Sequence, residues 1–392
     1  MLSRKRERPF KGRRHMIYLD NSATTQVHDD VLTSFVQVNK QFFGNPASLH
    51  EMGVDANALL MRARTQIAEL VQTTAEQVIF TSGGTESNNF AFYGVAKASA
   101  HKGKHIITTS VEHPCILEAA KRLEQEGYEV DYLTVDETGV ISLEELRQTL
   151  RKDTVLVSIM HVNNEMGAIM PIREAAHIIQ TNSRAVFHVD AIQSFGKLPI
   201  SLADGPDILS VSGHKIHALK GSGILAMKKN IQIEPFIVGG GQEFGLRSGT
   251  VAVPNAVAFA KAARLAIEAM PQKAAQYAEW KADLFAFFAS LGDYVKVIST
   301  PQGAPHIVSV GVKGLKGEIL INALQKEGII VSTSSACSSK QTKTSHVIEA
   351  LKVPQAYKDG VIRISFGANT TSSDIQQFKG VFGKIVRQLK GE

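Results

Sequence analysis

One candidate for covalent chemistry is a lysine that follows a short apolar run. Residues 208–211, Ile-Leu-Ser-Val, form a mainly apolar run that is followed by Ser-Gly-His, so Lys215 comes just after the end of a predicted strand. Open α/β folds bind their ligands at the carboxyl ends of such strands, where a lysine could take part in covalent chemistry. Most lysines are simply exposed, so the interpretation of Lys215 depends on what the rest of the chain supplies.

A glycine turn earlier in the chain is a candidate anion site. An apolar run at residues 78–80 is followed by Thr-Ser-Gly-Gly-Thr and then by the start of a predicted helix. Free backbone N–H groups and the helix dipole favour an anion at such a junction, and here a phosphate would lie against Gly84 and Thr85. The segment is neither a Walker A motif nor a dinucleotide fingerprint, so an ordinary strand-to-helix turn is equally consistent with it.

Asp190 is the third candidate, because it ends the apolar run at residues 186–189. Alone, it could simply cap a helix. A lysine, an anion cradle and an intervening aspartate together meet the three needs of pyridoxal 5′-phosphate (PLP). The lysine forms the Schiff base, the cradle holds the phosphate, and the aspartate keeps the pyridine nitrogen protonated. The three features together therefore predict a PLP site.

Alternating strands and helices would position these side chains. Apolar runs predict strands at residues 105–109, 130–133, 155–160, 186–189, 208–211 and 223–227. Such alternation indicates a parallel sheet covered by helices on both faces, that is, an α/β fold. Polar residues follow the first, third and fourth of these strands, so we expect them to converge on one crevice at the carboxyl edge.

The remaining segments predict further helices and a second, smaller unit. Helical spacing of apolar residues covers 29–43 and 54–70, and an Ala-rich helical stretch covers 254–291, which we expect to be interrupted at Pro271. Strands and helices at 307–312, 315–325, 329–331, 361–366 and 374–389 predict an α+β unit. The glycine-rich loop 238–250 is predicted to be functional, because ordering so much glycine costs backbone entropy.

Composition indicates a soluble globular protein of two domains or more. The chain has 392 residues, 20% of them charged and 44% hydrophobic, and no apolar run approaches the roughly 20 residues of a membrane helix. Two cysteines, Cys115 and Cys337, argue against a disulfide scaffold or a cysteine-rich metal site. We expect no metal.

The net charge of +6 belongs to the N-terminal segment. Residues 1–15 contain seven of the 43 Lys and Arg but one of the 37 Asp and Glu, which leaves 36 of each elsewhere. This segment could bind nucleic acid or could precede a natural start at Met16, and we favour a disordered extension over direct nucleic-acid binding. It lacks the apolar core of a secretory signal, which argues against export but leaves import into an organelle open, and we expect a cytoplasmic protein.

From Met16 nearly to its end, the chain resembles the PLP-dependent cysteine desulfurases of the NifS/IscS type, within the class V aminotransferase family. Six motifs in the family's order carry the resemblance, at residues 18–25, 81–88, 160–167, 188–194, 212–215 and 247–250. The resemblance implies an aspartate aminotransferase-like homodimer, with a mainly parallel seven-stranded sheet in the large domain. It implies a large PLP-binding domain at 30–261 and a small α+β domain at 16–29 and 262–392.

The resemblance also implies the role of each site residue. Lys215 would be the Schiff-base lysine, His113 would stack on the pyridine ring and move protons, and Asp190 would pair with the ring nitrogen. Gln193 would contact the phenolic oxygen, while Asn164 would orient substrate and ring and Arg363 would grip the substrate carboxylate. Phosphate contacts fall on Gly84, Thr85, Ser212, His214 and, from the partner subunit, Thr250.

Cys337 decides the reaction type. It lies among small polar residues that predict an exposed, mobile segment, and Lys340 and Lys343 would favour its thiolate. Cys115, at a helix start with apolar neighbours, fits an inert thiol. In the family, the loop cysteine takes the sulfur of L-cysteine as a persulfide, alanine leaves, and the sulfur passes to an acceptor protein for iron–sulfur cluster assembly or for tRNA or thio-cofactor thiolation.

The chain departs from the family's pattern at two places, and two rival hypotheses stand beside this prediction. Ser334 stands where the family's loop commonly has glycine, and the residues from Thr342 also differ, which leaves the choice of acceptor open. Another enzyme on the same fold, such as a selenocysteine lyase, is one rival, and selenocysteine lyase activity is also conceivable as a side reaction. A non-enzymatic module whose basic segment binds RNA is the other, and it would make Lys215, Asp190 and Cys337 coincidental.

Overall fold

The computed structural model describes residues 16–333 and 345–390. The predictions for the basic segment 1–15 and for Cys337 lie outside the described residues. Within those residues, no helix combines the length and the apolar character needed to span a membrane.

The described strands and helices follow the predicted order closely. The strands are β1 Ile17–Tyr18, β2 Val78–Thr81, β3 His105–Thr109, β4 Glu129–Leu133, β5 Thr154–Met160, β6 Val186–Asp190, β7 Ile208–Ser212, β8 Gly223–Met227, β9 Val295–Val297, β10 Ile307–Val312, β11 Ile329–Ile330, β12 Ser332–Thr333 and β13 Val361–Ser365. The helices are α1 Asp29–Gln41, α2 Glu51–Val71, α3 Gly84–Ala98, α4 Pro114–Gln125, α5 Leu143–Thr149, α6 Ile172–Asn182, α7 Val253–Ser290, α8 Gly317–Lys326, α9 His346–Ala350, α10 Gln355–Lys358 and α11 Ser372–Lys390.

The large sheet has seven strands in the order β2-β8-β7-β6-β5-β3-β4. Pairings from β4 to β7 are parallel, and β8 is antiparallel to both of its neighbours. The prediction of a mainly parallel seven-stranded sheet in an α/β fold is therefore confirmed. The carboxyl ends of β2, β5, β6 and β7 lie at one edge, as the polar residues after the strands predicted.

Helices cover both faces of this sheet, which explains why its central strands are mainly apolar on both faces. Alternate residues face opposite sides: Ile106 and Leu156 pack into one core, and their neighbours Ile107 and Val157 pack into the other. All seven residues of β5 are buried. A strand buried on both faces gains by placing an apolar side chain at every position.

A smaller unit has its own core around the antiparallel sheet β12-β13-β10-β9. The parallel pair β1-β11 adds the start of the described chain to this core through Ile17 and Leu19. Two separate cores agree with a large and a small domain. The exact boundaries at residues 29/30 and 261/262 stay a prediction.

The predicted interruption at Pro271 is wrong, because α7 runs without a break from Val253 to Ser290. Its first half packs into the large core and its second half into the small core, so both ends are held by burial. Pro271 itself is exposed. Packing of both halves of the helix therefore outweighs the local cost of the proline, which removes one helical hydrogen bond.

Candidate active site

Lys215 lies just beyond the end of β7, in a single 3-10 turn at Gly213–Lys215. Its Nζ donates hydrogen bonds to the backbone oxygens of Ser22 and Ala23, the second at 2.8 Å. Gln193 Nε2 donates to the same Ser22 oxygen at 3.0 Å. The structure thus brings the segment 20–25 against the lysine. Sequence reasoning assigned no role to that segment, although its abrupt change from apolar to small polar residues was the available signal.

Asp190 ends β6, the neighbour of β7, and its carboxyl group is buried. Oδ2 accepts a 2.7 Å hydrogen bond from Asn88 Nδ2, and Oδ1 accepts one of 2.9 Å from the backbone N–H of Ile192. Burial raises the pKa of Asp190, while these hydrogen bonds and the charge of Lys215 oppose the shift. Sequence reasoning missed Asn88, whose position one helical turn after the glycine turn could have indicated it.

His113 caps the N-terminus of α4 with its ring. Nδ1 accepts a 3.2 Å hydrogen bond from the backbone N–H of Cys115, so the proton of the neutral ring is on Nε2. Burial, together with the charges of Lys215 and His346, lowers the pKa of His113 to about 4. The ring is therefore neutral at pH 7, and it lies within the electrostatic reach of Lys215.

Cys115 borders the same site, with its Sγ 3.0 Å from His113 Nδ1 and 3.3 Å from Asn88 Nδ2. Burial and the nearby Asp190 carboxylate raise the pKa of the Cys115 thiol to about 12. The thiol is thus protonated at neutral pH. This agrees with the prediction that Cys115 is inert as a nucleophile.

The glycine turn and the end of β7 lie close together, at the position predicted for the anion cradle. Gly84 begins α3, and a Cβ added there would lie 2.2 Å from Ile192 Cδ1 and 3.4 Å from Ser212 Cβ. A side chain at position 84 would therefore require the end of the Ile192 side chain to move. Thr85 follows in the first turn of α3, at the helix N-terminus that favours an anion.

His214 lies in the turn between Ser212 and Lys215. Its Nδ1 lies 3.2 Å from Thr24 Oγ1, which ties the turn to the segment 20–25. Burial and the charge of Lys215 are the main causes that lower the pKa of His214 to about 4. The ring is neutral at pH 7 and can donate or accept a hydrogen bond according to its tautomer.

Buried polar atoms of this region that have no hydrogen-bond partner among the described residues include Ser22 Oγ, Asn88 Oδ1, Gln193 Oε1 and Ser212 Oγ. Unpaired buried polar atoms are costly, so their grouping marks a place for a polar ligand. The polar groups of this region fit PLP. Ser212 and the N-terminus of α3 suit its phosphate, and the buried Asp190 carboxylate suits a protonated ring nitrogen.

Arg363 lies in the middle of β13 and is almost fully buried, with 4% of its surface exposed. Nη1 donates to the backbone oxygen of Asn164 at 2.8 Å, and Nη2 forms a 2.9 Å ion pair with Asp20. Burial raises the pKa of Asp20, although the charge and hydrogen bond of Arg363 oppose the shift. The structure therefore brings Arg363 and Asn164 together, and it adds Asp20, which sequence reasoning missed.

Two buried glutamates adjoin predicted site residues in the chain and were also missed. Glu112 precedes His113, and burial raises its pKa to about 8. Glu165 follows Asn164, and burial raises its pKa to about 7. Their hydrogen bonds go to neighbouring elements, so they position the site residues beside them: Glu112 Oε1 accepts from the backbone N–H of Met160 at 2.8 Å.

Thr250 is not brought to Lys215 within the single chain. It is exposed, at the end of the glycine-rich loop, and lines a cavity of about 100 Å³ with Ser82 and Gly221 that Lys215 does not line. Its predicted role toward the partner subunit stays a prediction. The role of Cys337 also stays one, for a residue outside the described part of the chain.

Comparison with known proteins gives matches over nearly the whole chain. The family model for aminotransferase class-V matches residues 17–378. A curated relative described as "NifS/IcsS protein homolog", from Lactobacillus delbrueckii subsp. bulgaricus, is 40% identical over 377 residues, covering 95% of this chain and 98% of the relative. "Cysteine desulfurase IscS" from Dictyoglomus turgidum is 39% identical, covering 95% of each. The solved structure of a "NIFS-LIKE PROTEIN" is 36% identical with a TM-score of 0.89, covering 96% of this chain and 100% of that one.

Proposed function

The chain belongs to the aminotransferase class-V family, and from that premise we propose that it is a PLP-dependent cysteine desulfurase. It converts L-cysteine to L-alanine and leaves the sulfur as a persulfide on Cys337. The observation that carries the proposal is the grouping of Lys215, Asp190 and the Ser212 cradle at neighbouring strand ends. Relatives named as cysteine desulfurases match the chain over nearly its full length, which supports this reaction over others on the fold.

PLP, when bound, supplies an aldehyde that joins to amines and a protonated ring that withdraws electrons. In our assignment, Gly84, Thr85, Ser212 and His214 hold the phosphate and Lys215 is the lysine of attachment. Asp190, held by Asn88, pairs with the ring nitrogen, and Gln193 contacts the phenolic oxygen. The raised pKa of Asp190 supports its part, since a buried carboxylate gains most from a cationic partner.

Lys215 and His113 move protons in the proposed reaction. His113 is neutral at pH 7, because burial lowers its pKa to about 4. Its Nδ1 faces the backbone N–H of Cys115, which leaves the Nε2–H to exchange a proton with the substrate. A neutral ring is also better suited than an imidazolium to stack on a cationic ring, because it adds no like charge.

Arg363 and Asn164 bind the substrate in this assignment. The guanidinium already engages Asp20 and the Asn164 backbone, and its Nε has no partner among the described residues. A substrate carboxylate would be a stronger partner than a backbone oxygen. Asp20 then keeps Arg363 oriented, so that the carboxylate meets a fixed guanidinium.

Cys337 collects the sulfur. Its thiolate forms an S–S bond to the substrate sulfur as the C–S bond breaks, and the electron pair of that bond goes to the carbon, which is protonated to give alanine. The two sulfurs remain on the enzyme as a persulfide. The support is the sequence, in which Cys337 lies among small polar residues with Lys340 and Lys343 nearby.

The assembly and the acceptor are further parts of the proposal. Large apolar side chains are exposed along α1, α2 and the loop before α7, which supports a homodimer in which Thr250 reaches the partner's phosphate; they include Phe43, Leu49, Val54, Val238 and Phe244. The acceptor would be a protein of iron–sulfur cluster assembly or of tRNA or thio-cofactor thiolation. We propose a cytoplasmic location, since a two-cysteine chain suits a reducing compartment.

Adding L-cysteine to the purified enzyme and measuring alanine and sulfide tests the reaction. We expect Cys337→Ser to keep the visible cofactor absorbance and to lose persulfide formation, while Lys215→Ala loses the absorbance of covalently attached cofactor. Cys115→Ser is the matched control for Cys337→Ser. Full sulfur transfer by Cys337→Ser would contradict the proposal. A strong preference for L-selenocysteine would assign the enzyme to the rival lyase.

A further inference from the structure

A cavity of about 350 Å³ lies behind the turn that carries Lys215. Its walls come from that turn, from the middle of α7 and from the segment 366–369 after β13. Lys215 lines it, but Asp190, His113, Ser212 and Arg363 do not. It is therefore distinct from the PLP cradle and lies between the large and the small core.

The cavity is lined by basic residues, and no Asp or Glu of the described chain lines it. The basic lining residues are His28, Lys197, Lys215, His217 and Lys273. Several have local partners: Lys273 Nζ donates to the Ala368 oxygen at 3.0 Å, and His217 Nδ1 lies 2.8 Å from the Gln26 oxygen. The polar groups of this wall are thus largely satisfied, with one exception.

Lys197 is the exception. Its Nζ is buried and has no hydrogen-bond partner among the described residues. Burial, with the charges of Lys215 and Arg363, lowers the pKa of Lys197 to about 7. Protonation of a buried amine without a partner is unfavourable, so an anion beside Lys197 would stabilise its charged form.

Part of the cavity wall is apolar, which indicates the chemical class of the anion. Leu265, Ala266, Tyr277 and Phe366 contribute to it. A purely inorganic anion would leave this surface unused, whereas a carboxylate with a short hydrocarbon body would cover it. The volume lies in the range of small-molecule sites.

We propose that this cavity binds a small organic acid, whose carboxylate pairs with Lys197 and whose apolar body packs against α7 and Phe366. The bound acid would touch both the turn of Lys215 and the segment after β13. It would thereby bridge the large and the small core. Lys215 lines this cavity, but the proposed contacts are with Lys197, α7 and Phe366, so the inference does not require the desulfurase activity.

Proton linkage gives the proposal a pH signature. The charged and titratable groups around Lys197 are Lys215, Arg363, His28, His214, His217 and Lys273, together with the buried His306. A carboxylate favours protonated Lys197, whose pKa without ligand is about 7. Binding should therefore take up protons at pH 7.5, and the affinity should fall as the pH rises from 6 to 8.

The test is calorimetric titration of pentanoate into the PLP-loaded enzyme carrying Arg363→Gln, which removes the carboxylate grip assigned to the active site. We expect saturable binding that Lys197→Met weakens about 10- to 100-fold, as loss of a charge-assisted hydrogen bond would do. Lys229→Met, at an exposed lysine, should leave the binding unchanged. Pentanol should bind Lys197→Met at least as well as it binds the parent.

One further variant and one further probe complete the test. Ala269→Phe, which fills the cavity and retains Lys197, should also weaken pentanoate binding. No saturable binding, or equal affinity in Lys197→Met, would overturn the site. Inorganic phosphate binding as tightly as pentanoate would overturn the organic-acid assignment. A loss of desulfurase activity has no bearing on these titrations, so the two proposals fail separately.

Discussion

Ser345 donates a 2.6 Å hydrogen bond to the buried carboxyl group of Glu165. This bond joins the N-cap of α9 to the polar segment that follows β5, directly beside Asn164. One residue on, the ring of His346 lies 2.9 Å from the backbone oxygen of Glu112. The described chain immediately after residue 344 is therefore tied to the neighbours of two predicted site residues.

The described chain immediately before residue 334 is tied to a third predicted site residue, Arg363. Ser332 pairs with Arg363 between β12 and β13. The stretch that carries Cys337 thus leaves and rejoins the described structure beside Arg363, Asn164 and His113. Such anchoring is what delivery of a cysteine to this site would require, and it supports the proposed role of Cys337.

Ser345→Ala should slow persulfide formation while leaving the cofactor in place. The change removes two hydrogen bonds, the one to Glu165 and the N-cap bond of 3.1 Å accepted from the Val347 N–H, each worth about 1 kcal/mol. Since the Glu165 carboxyl then lacks this donor, we expect single-turnover persulfide formation to slow by about 5-fold or more. The cofactor spectrum should be unchanged. Ser290→Ala, at an exposed helix end, is the control. An unchanged rate would show that the bond does not position the cysteine segment.

Asn88→Ala should weaken PLP binding. Asn88 holds Asp190 Oδ2 at 2.7 Å and opposes the rise in the pKa of that buried carboxyl group. Without it, protonation of Asp190 becomes easier and the pairing with the ring nitrogen weakens. We expect about a 10-fold higher dissociation constant for PLP in a spectrophotometric titration. Asn39→Ala, at an exposed asparagine, should bind PLP normally, and equal affinity in both variants would refute the assigned role.

Arg64→Met should destabilise the protein strongly. Arg64 makes a bidentate, buried ion pair with Glu243, at 2.6 Å and 2.8 Å, and lies over the rings of Phe80 and Phe244. Removing one partner leaves a buried charge uncompensated, so we expect a loss of about 3–5 kcal/mol in the free energy of unfolding by urea.

Two control variants separate this ion pair from general effects of mutation. Arg62→Met, at an exposed position on the same helix, should change stability by less than about 0.5 kcal/mol. The double variant Arg64→Met with Glu243→Met should recover part of the loss, because neither charge then remains unpaired. A double variant less stable than the single one would contradict this explanation.

Local sequence patterns correctly predicted the features that depend on interactions between residues close together in the chain. The apolar runs that end at Asp190 and before Lys215 identified both the strands and the edge where their side chains meet. Contacts between distant segments were not predictable from these patterns. The carbonyl of Ser22 that accepts from Lys215, and the Asn88 amide that holds Asp190, depend on how the whole chain packs.

At Pro271, a local pattern predicted a feature that the packing of the whole chain prevents. Local propensity predicts a break there, but burial of α7 in both cores keeps the helix continuous. Tertiary packing over 38 residues outweighs one missing hydrogen bond whose site is exposed. The family resemblance supplied the roles of individual residues, which periodicity alone could not.

His188 should make the protein sensitive to acid. It is buried beneath the site, with Nδ1 2.8 Å from Ser158 Oγ and Nε2 2.9 Å from Ser210 Oγ, and burial lowers its pKa to about 3. Its folded pKa lies below the unfolded value of about 6.5. The stabilisation is therefore complete above pH 6.5 and is lost as the pH falls toward 3.

Replacing His188 tests the predicted direction in which stability changes with pH. Between pH 6 and pH 4 the unfolded chain binds one more proton than the folded protein at this position, so His188 contributes up to about 1.4 kcal/mol per pH unit to the slope of unfolding free energy. His188→Gln should reduce the slope measured by urea unfolding at several pH values. His177→Gln, at an exposed histidine, should leave it unchanged. Equal slopes for wild type and His188→Gln would mean that His188 does not remain neutral in the folded protein.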